Sequence, residues 1–86
     1  MYKVFFEHKA YKELSKLSKV DSKRISEKLH KITYPFPSNF DVAKMTEGND
    51  YFRLRVGNIR IIFKVDYVGK RIIIRKIQYR GQIYKN

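Results

Sequence analysis

Three arginines stand close together in the stretch YFRLRVGNIRIIF, residues 51–63. Arg53 and Arg55 precede a Gly-Asn dipeptide, and Arg60 follows it. A guanidinium group keeps its positive charge at every relevant pH and presents five donors in a planar fork that suits phosphate oxygens. Like charges that face each other on a sheet are destabilising, so an ordinary solvated strand face would mix the two signs. The three arginines therefore predict a site that handles phosphate.

The same stretch has the pattern of a β-hairpin. Apolar residues alternate along both sides of the Gly-Asn dipeptide, which is a signal for a two-residue turn. This turn places Arg55 opposite Arg60 on one face, and Leu54 opposite Ile61 on the other. We expect the apolar face to pack on the core and the arginine face to stay open.

The charge of the chain indicates an anionic partner. Lysine and arginine total 20 against eight acidic residues, which gives a formal net charge of +12 and a pI of about 10.1. Self-repulsion of this size costs stability, so a polyanion is the natural partner. Nucleic acid comes first, an acidic protein second and an anionic membrane surface third. The alternative interpretation is a lysine-rich surface that reflects compositional bias alone.

Length and composition narrow the class of protein. A chain of 86 residues without cysteine predicts one domain, residues 1–86, with no disulfide framework or thiolate metal site. Its histidines, His8 and His30, have no convergent ligands around them, so we expect no metal and no cofactor. No apolar run approaches the roughly 18–20 residues of a membrane span, and the first residues lack the apolar region of a signal peptide. We expect a cytoplasmic protein without membrane contact.

Two helical patterns follow a short first strand at residues 2–6. Apolar residues recur at helical spacing in KAYKELSKL. Asp21 or Ser22 can cap the second helix, in which apolar residues recur at i, i+4 and i+7. Two prolines in YPFPSNF end this helix, and an irregular loop continues to about Asp50.

Three more strands, at about 51–56, 59–66 and 71–78, form an antiparallel meander. The two helices connect the first strand to the second and can make the second strand its parallel neighbour. The element order is therefore β-α-α-β-β-β. The predicted class is α+β, with two helices packed on one face of a small, twisted, mostly antiparallel sheet.

The final residues add groups that could contact RNA. The stretch QYRGQIY places Tyr79, Arg80, Gln82 and Tyr84 just past the last strand, where it can fold over the open face. Tyrosine can stack on a base, donate a hydrogen bond to phosphate or exchange a proton. The alternative is that Tyr84 fills the edge of the sheet.

The segment KMTEGNDYFRLRVGNIRIIFKV, followed by YRGQIY, resembles the RelE/ParE superfamily of toxins from type II toxin–antitoxin systems. The shared pattern is a lysine, a glycine-containing loop, the run (Y)xRxRVGxxRxxF, and a later arginine and tyrosine. Element order and length match as well, so the resemblance spans the chain as one RelE-like domain. Members of the RelE branch are ribosome-dependent mRNA interferases. They cut mRNA in the decoding site, inhibit translation and are silenced by a cognate antitoxin.

The resemblance implies a metal-independent endoribonuclease. The ribose 2′-OH attacks the adjacent phosphate, the 5′-oxygen leaves, and a 2′,3′-cyclic phosphate remains. Arg60 would stabilise the charge that develops on the phosphorane, with Arg80 assisting. Arg53 and Arg55 would hold the flanking backbone phosphates.

The proton acceptor and donor stay open. Arginine cannot give up a proton, since its pKa exceeds about 12. Relatives often have His at the position of Tyr79, and several have Lys at that of Arg53. Tyr84 is the first catalytic candidate, because surrounding positive charge lowers the pKa of a tyrosine from about 10. Tyr79 and Lys44 are the second candidates and are also expected to bind RNA phosphate.

Two other functions are open at this point. A ParE-like toxin shares the fold but inhibits DNA gyrase without nuclease activity, and such chains generally lack the full basic set and the tyrosine. A non-catalytic basic RNA-binding protein would keep a salt-sensitive affinity for RNA without arresting growth. As a RelE-like toxin, the chain would act on the ribosome and mRNA. It would form a hetero-oligomer with an acidic, RelB-like antitoxin whose disordered segment wraps the basic surface.

Overall fold

The computed structural model describes residues 1–46 and 50–80 of the chain. In chain order, the elements of this part are β1 (Lys3–Phe6), α1 (His8–Ser15), α2 (Lys19–His30), β2 (Asp41–Lys44), β3 (Tyr51–Val56), β4 (Ile59–Asp66) and β5 (Arg71–Tyr79). The strands form one mixed sheet in the order β1-β5-β4-β3-β2. The predicted α+β class with two helices is confirmed. Neither helix of the described part has the length and apolar character that crossing a membrane requires.

Two features of the sheet differ from the expectation. Strand β1 pairs in parallel with β5, joining Lys3 to Arg71, and not with the first strand after the helices. Strand β3 already has two neighbours, β2 and β4, so β1 cannot pair with it. The free edge of β5, on the side away from β4, is where β1 adds. Strand β2 itself lies inside the stretch predicted as an irregular loop. Its four residues are too few for a clear alternation signal, and pairing with β3 decides their conformation.

Helix α2 begins earlier in the chain than expected. Ser18, and neither Asp21 nor Ser22, is the N-cap residue, and its Oγ accepts a hydrogen bond from the N–H of Asp21 at 3.1 Å. A serine at this position satisfies one of the amides that a helix start leaves unpaired. Asp21 therefore lies in the first helical turn, where its negative charge complements the helix dipole.

The core lies between the helices and one face of the sheet. Its fully or almost fully buried members are Ala10, Ile25, Leu29, Leu54, Ile59, Ile61, Phe63, Val65, Ile72, Ile74 and Ile77. The ring of Phe63 stacks on Phe52, with centroids 5.7 Å apart, and meets Phe36 edge-to-face at 5.6 Å. Aromatic packing therefore fixes the central strand pair, β3 and β4, against the chain that follows α2.

The hairpin of β3 and β4 has the predicted register. Leu54 pairs with Ile61, and Arg55 pairs with Arg60. Gly57 adopts φ +58 at the first central position of the turn, where type II′ turns favour glycine. Because side chains alternate along a strand, this register buries the leucine face and places the arginines on the opposite face.

A β-bulge interrupts β5, with Arg75 as the extra residue between the partners of Ile62 and Phe63. An extra residue moves every later side chain of the strand to the other face of the sheet. Ile77 is buried for this reason. The N–H of Ile77 donates a hydrogen bond to Oε1 of Glu13 on α1, at 2.9 Å.

We expect Glu13→Ala to lower the free energy of unfolding by about 1–3 kcal/mol, since the Ile77 amide would lose its acceptor. Glu13→Gln is the matched control, because its amide oxygen can accept the same hydrogen bond. Urea denaturation followed by far-UV circular dichroism measures both variants. Equal stability of Glu13→Ala and the wild type would contradict this role.

Candidate phosphate-binding site

Arg53, Arg55 and Arg60, hereafter the arginine cluster, lie together on the open face of the sheet. Arg55 pairs with Arg60 across the two strands, and Arg53 follows the same alternation on β3. All three side chains are partly exposed, and the Nε atom of each is buried without a hydrogen-bond partner in the described part of the chain. Buried donors without acceptors cost free energy. Because the side chains are also partly exposed, the cluster offers other guanidinium donors that an anion can reach.

Carboxylates only partly neutralise the arginine cluster. Asp41 on β2 lies opposite Arg55, with Oδ2 3.4 Å from Nε, and its side chain is 61% exposed. An exposed pair of this kind contributes little to stability. Across residues 1–46 and 50–80, neither Arg53 nor Arg60 has a salt-bridge partner. The cluster keeps an excess of positive charge.

Two other arginines of the open face are neutralised more fully. Arg71 donates to Asp66 Oδ2 from Nε at 3.0 Å and from Nη2 at 2.8 Å. Arg75 Nε lies 3.4 Å from Glu7 Oε1, and the same side chain donates to the hydroxyl of Tyr51. Its guanidinium also lies 5.1 Å from the centre of the Tyr51 ring. Of the arginines on this face, the less neutralised ones are therefore those nearer the β3–β4 turn.

The backbone brings Arg80 to this same end of the sheet. Its N–H donates to the carbonyl oxygen of Asn58 in the β3–β4 turn, at 2.8 Å. Gln78, two residues earlier, pairs with Arg60. The side chain of Arg80 is exposed. The backbone of Arg80 thus lies at the turn between Arg55 and Arg60, and its side chain is accessible to a ligand.

Lys44 is not part of this arrangement. Lys44 pairs with Phe52 and therefore shares the face of the sheet opposite to the arginines. Tyr84 lies outside the described residues. The structure consequently places the arginine candidates together and leaves Lys44 on the other face.

Tyr79 faces the helices and not the arginine cluster, because the bulge at Arg75 reverses the alternation. It pairs with Ile59, which is buried in the core. Its hydroxyl donates to Asp21 Oδ2 at 2.7 Å and accepts from the N–H of Ser18 at 3.3 Å. A side chain held in this way is not placed to exchange a proton with RNA on the opposite face.

The structure adds Lys76 and Gln78 to the open face, where sequence reasoning did not place them. Lys76 pairs with Ile62 and Gln78 with Arg60. The signal was present in the spacing of the isoleucines of β5, which changes from two residues to three. Such a change of phase is what a bulge produces in an alternating strand.

The pKa values of two carboxyl groups, Asp21 and Asp66, are lowered in the folded protein. The hydroxyl of Tyr79 holds the pKa of Asp21 below its ordinary value of 3.8, with further help from Ser18 and Arg24. The pKa of Asp66 is lowered first by the N–H of Gly69 and then by Arg71. A carboxyl group whose pKa is lower in the folded state than in the unfolded state stabilises the fold at pH values above its unfolded-state pKa. That contribution to stability is lost as the pH falls through the folded-state pKa.

We therefore expect the urea midpoint of the wild type to fall steeply from about pH 4 downward. The double variant Asp21→Asn/Asp66→Asn should start lower at neutral pH and fall less steeply, because the two titrating groups are gone. Urea titrations at several pH values measure the difference between the two curves. Parallel curves would show that these carboxylates do not contribute.

The chain is similar to known proteins over almost its whole length. No protein-family model matches the chain. The chain is 30% identical over 87 residues to a protein of Methanocaldococcus jannaschii named RelE1, a proposed toxin, and the match covers 99% of this chain and 97% of that relative.

Two archaeal crystal structures have the same fold. The RelE–RelB complex from Pyrococcus horikoshii OT3 has a TM-score of 0.79 and 32% identity, covering 94% of this chain and 97% of that one. The RelB–RelE antitoxin–toxin complex from Methanococcus jannaschii has a TM-score of 0.78 and 28% identity, covering 93% and 94% of the two chains. With a near full-length relative at this level of identity, the chain belongs to the RelE family of toxins.

Proposed function

We propose that the chain is a toxin that cuts mRNA on the ribosome and thereby inhibits translation. The observation that supports this function best is the arginine cluster, in which Arg53 and Arg60 have no carboxylate partner in the described part of the chain. Membership of the RelE family supports the same function. A fixed excess of guanidinium groups is suited to a reaction in which negative charge builds up on a phosphate.

The proposed reaction is an in-line transesterification. The 2′-oxygen loses its proton and bonds to phosphorus, while the bond from phosphorus to the 5′-oxygen breaks and that oxygen takes up a proton. The products are a 2′,3′-cyclic phosphate and a 5′-hydroxyl end. Arg60, with Arg80 beside it, donates to the non-bridging oxygens as their charge increases. Arg53 and Arg55 hold the neighbouring phosphates.

Proton transfer is the weaker part of this chemistry. Arginine cannot serve as a base, and Tyr79 is bound to Asp21 on the other face of the sheet. Tyr84 therefore stays the first candidate among the residues of this chain. We propose that the ribosome compensates by orienting the mRNA, because orientation alone can contribute a large part of a rate acceleration. Naked RNA would then be a poor substrate.

We propose an acidic, RelB-like antitoxin as the partner of this chain. The neighbouring archaeal structures are complexes of RelE with RelB. A formal net charge of +12 is a strong reason for an acidic partner, since neutralisation removes self-repulsion. A ligand that binds only the folded state raises its stability, so the complex should melt at a higher temperature than the free chain.

The nuclease function is tested with purified protein, ribosomes that hold a defined mRNA, and primer extension to map the ends. We expect cuts confined to the decoding site and absent from the same mRNA without ribosomes. Equal cutting of naked RNA would contradict the dependence on the ribosome. A folded, RNA-binding protein that makes no cuts in either sample would contradict the nuclease function.

A further inference from the structure

Hydrogen bonds fasten the end of β5 to the start of α2. The hydroxyl of Tyr79 donates to Asp21 Oδ2 at 2.7 Å and accepts from the N–H of Ser18 at 3.3 Å. Arg24 Nη2 donates to the second oxygen of Asp21, Oδ1, at 3.0 Å. These four residues, Ser18, Asp21, Arg24 and Tyr79, are hereafter the Tyr79 clamp. The clamp joins the helix layer to the strand that leads into Arg80.

The clamp also reaches the β3–β4 turn. A side-chain Cβ at Gly57 would lie 3.2 Å from both Nη atoms of Arg24, so the guanidinium packs directly against the turn. From the other side, the N–H of Arg80 donates to the carbonyl oxygen of Asn58 at 2.8 Å. The turn is therefore held by α2 on one side and by the residue after Tyr79 on the other.

Tyr79 and Arg60 lie on opposite faces of the paired strands β5 and β4. Tyr79 pairs with Ile59, and Arg60 and Arg80 are the residues that come directly after this pair. Successive side chains of a strand point to opposite faces. Holding Tyr79 from the helix side therefore holds the backbone from which Arg80 extends.

We propose that Tyr79 is a positioning residue, which through its hydrogen bond to Asp21 holds Arg80 beside Arg60 and does not itself exchange a proton. The role of Tyr79 in cleavage rests on the function proposed above, whereas the hydrogen bonds of the Tyr79 clamp do not depend on it. A displacement of about 1 Å in a catalytic group can lower a rate about a hundredfold. A single hydrogen bond on the far side of the sheet is therefore enough to matter for cleavage.

The first test is the cleavage rate of Tyr79→Phe on ribosome-bound mRNA. We expect a loss of about tenfold in kcat, with KM and the shape of the pH profile unchanged. In the Arg80→Ala background, the same substitution should cause no further loss, because Tyr79 acts through Arg80. A changed pH profile would assign proton transfer to Tyr79 and overturn the proposal. Full additivity with Arg80→Ala would overturn it as well.

Glu13→Ala is the control for stability, since it weakens β5 at Ile77 without touching the clamp. Its cleavage rate should stay within about twofold of the wild type at a temperature where both variants are folded. A loss as large as that of Tyr79→Phe would show that lowered stability alone explains the effect, which would overturn the positioning role.

Amide hydrogen exchange tests the clamp without any cleavage assay. The Arg80 amide, which donates to Asn58, should exchange about tenfold faster in Tyr79→Phe. The Val65 amide, which donates to the Asp50 carbonyl oxygen, should not change. Unchanged exchange at Arg80 would overturn the clamp. If the wild type makes no cuts while the Arg80 amide still loses protection, the proposed function fails and the clamp stands.

Discussion

Arg60→Ala is expected to lower the rate of cleavage of ribosome-bound mRNA by about 10²–10³-fold. Arg60 lies opposite Arg55 and has no carboxylate partner in residues 1–46 and 50–80. Its donors would strengthen their bonds as charge builds on the phosphorane, so the loss should appear in kcat more than in KM. Single-turnover kinetics on a defined mRNA measure this loss.

Two control variants distinguish a specific role of Arg60 from a general effect of the net charge. Arg60→Lys keeps the charge but loses the planar fork, and we expect it to recover only part of the rate. Arg75→Ala removes a charge from the same face, where Glu7 already neutralises it, and should stay within about threefold of the wild type. Equal losses for Arg75→Ala and Arg60→Ala would contradict a specific role for Arg60.

Arg60→Ala should not unfold the protein. Removing one member of the Arg55–Arg60 pair relieves repulsion on the sheet, so we expect the free energy of unfolding to rise by a few tenths of a kcal/mol. A lower rate together with an unchanged or higher Tm would place the defect in the chemistry. Stabilisation by loss of a functional residue is a common trade-off at active sites.

Phe63→Ala should have the largest effect on stability, a loss of about 3–5 kcal/mol in the free energy of unfolding. Phe63 is fully buried and packs against Phe52 and Phe36, so alanine would leave a cavity in the centre of the core. A loss of this size is a large fraction of the roughly 5–15 kcal/mol that stabilise a typical domain.

Thermal and urea unfolding measure this effect directly. For a domain of this size, 1 kcal/mol corresponds to a shift in Tm of roughly 4–8 °C. Val20→Ala is the control, because Val20 is 78% exposed and its truncation should change stability by less than about 0.5 kcal/mol. A loss below about 1 kcal/mol for Phe63→Ala would show that the core relaxes around the missing ring.

The arginine face could be predicted from the sequence because its information is local. A glycine at the first turn position and alternating side chains on both sides determine which residues face each other, including Arg55 and Arg60. The two helices could be predicted for the same reason, since periodicity is a property of neighbouring residues. Membership of the RelE family was also evident from the motif around these arginines.

Features that depend on distant contacts could not be predicted in the same way. The N-cap at Ser18, the short strand β2 and the partner of β1 are decided by which groups meet in the folded chain. The bulge at Arg75 is the most consequential of them, because one extra residue turns Tyr79 toward Asp21. Tyrosine and arginine are neighbours in the sequence at positions 79 and 80, yet Tyr79 belongs to the helix side.

The parallel pairing of β1 with β5 also determines when the sheet can be completed during synthesis of the chain. It joins residue 3 to residue 71, so β1 has no partner until β5 has been synthesised. At the usual 5–20 residues per second, roughly 3–14 s separate the two strands during translation. Arg75 and Arg80 lie in or just after β5, so the open face and the core beneath it are completed together. Under the function proposed above, a nascent chain that cannot yet fold would be inactive toward the ribosome that is making it.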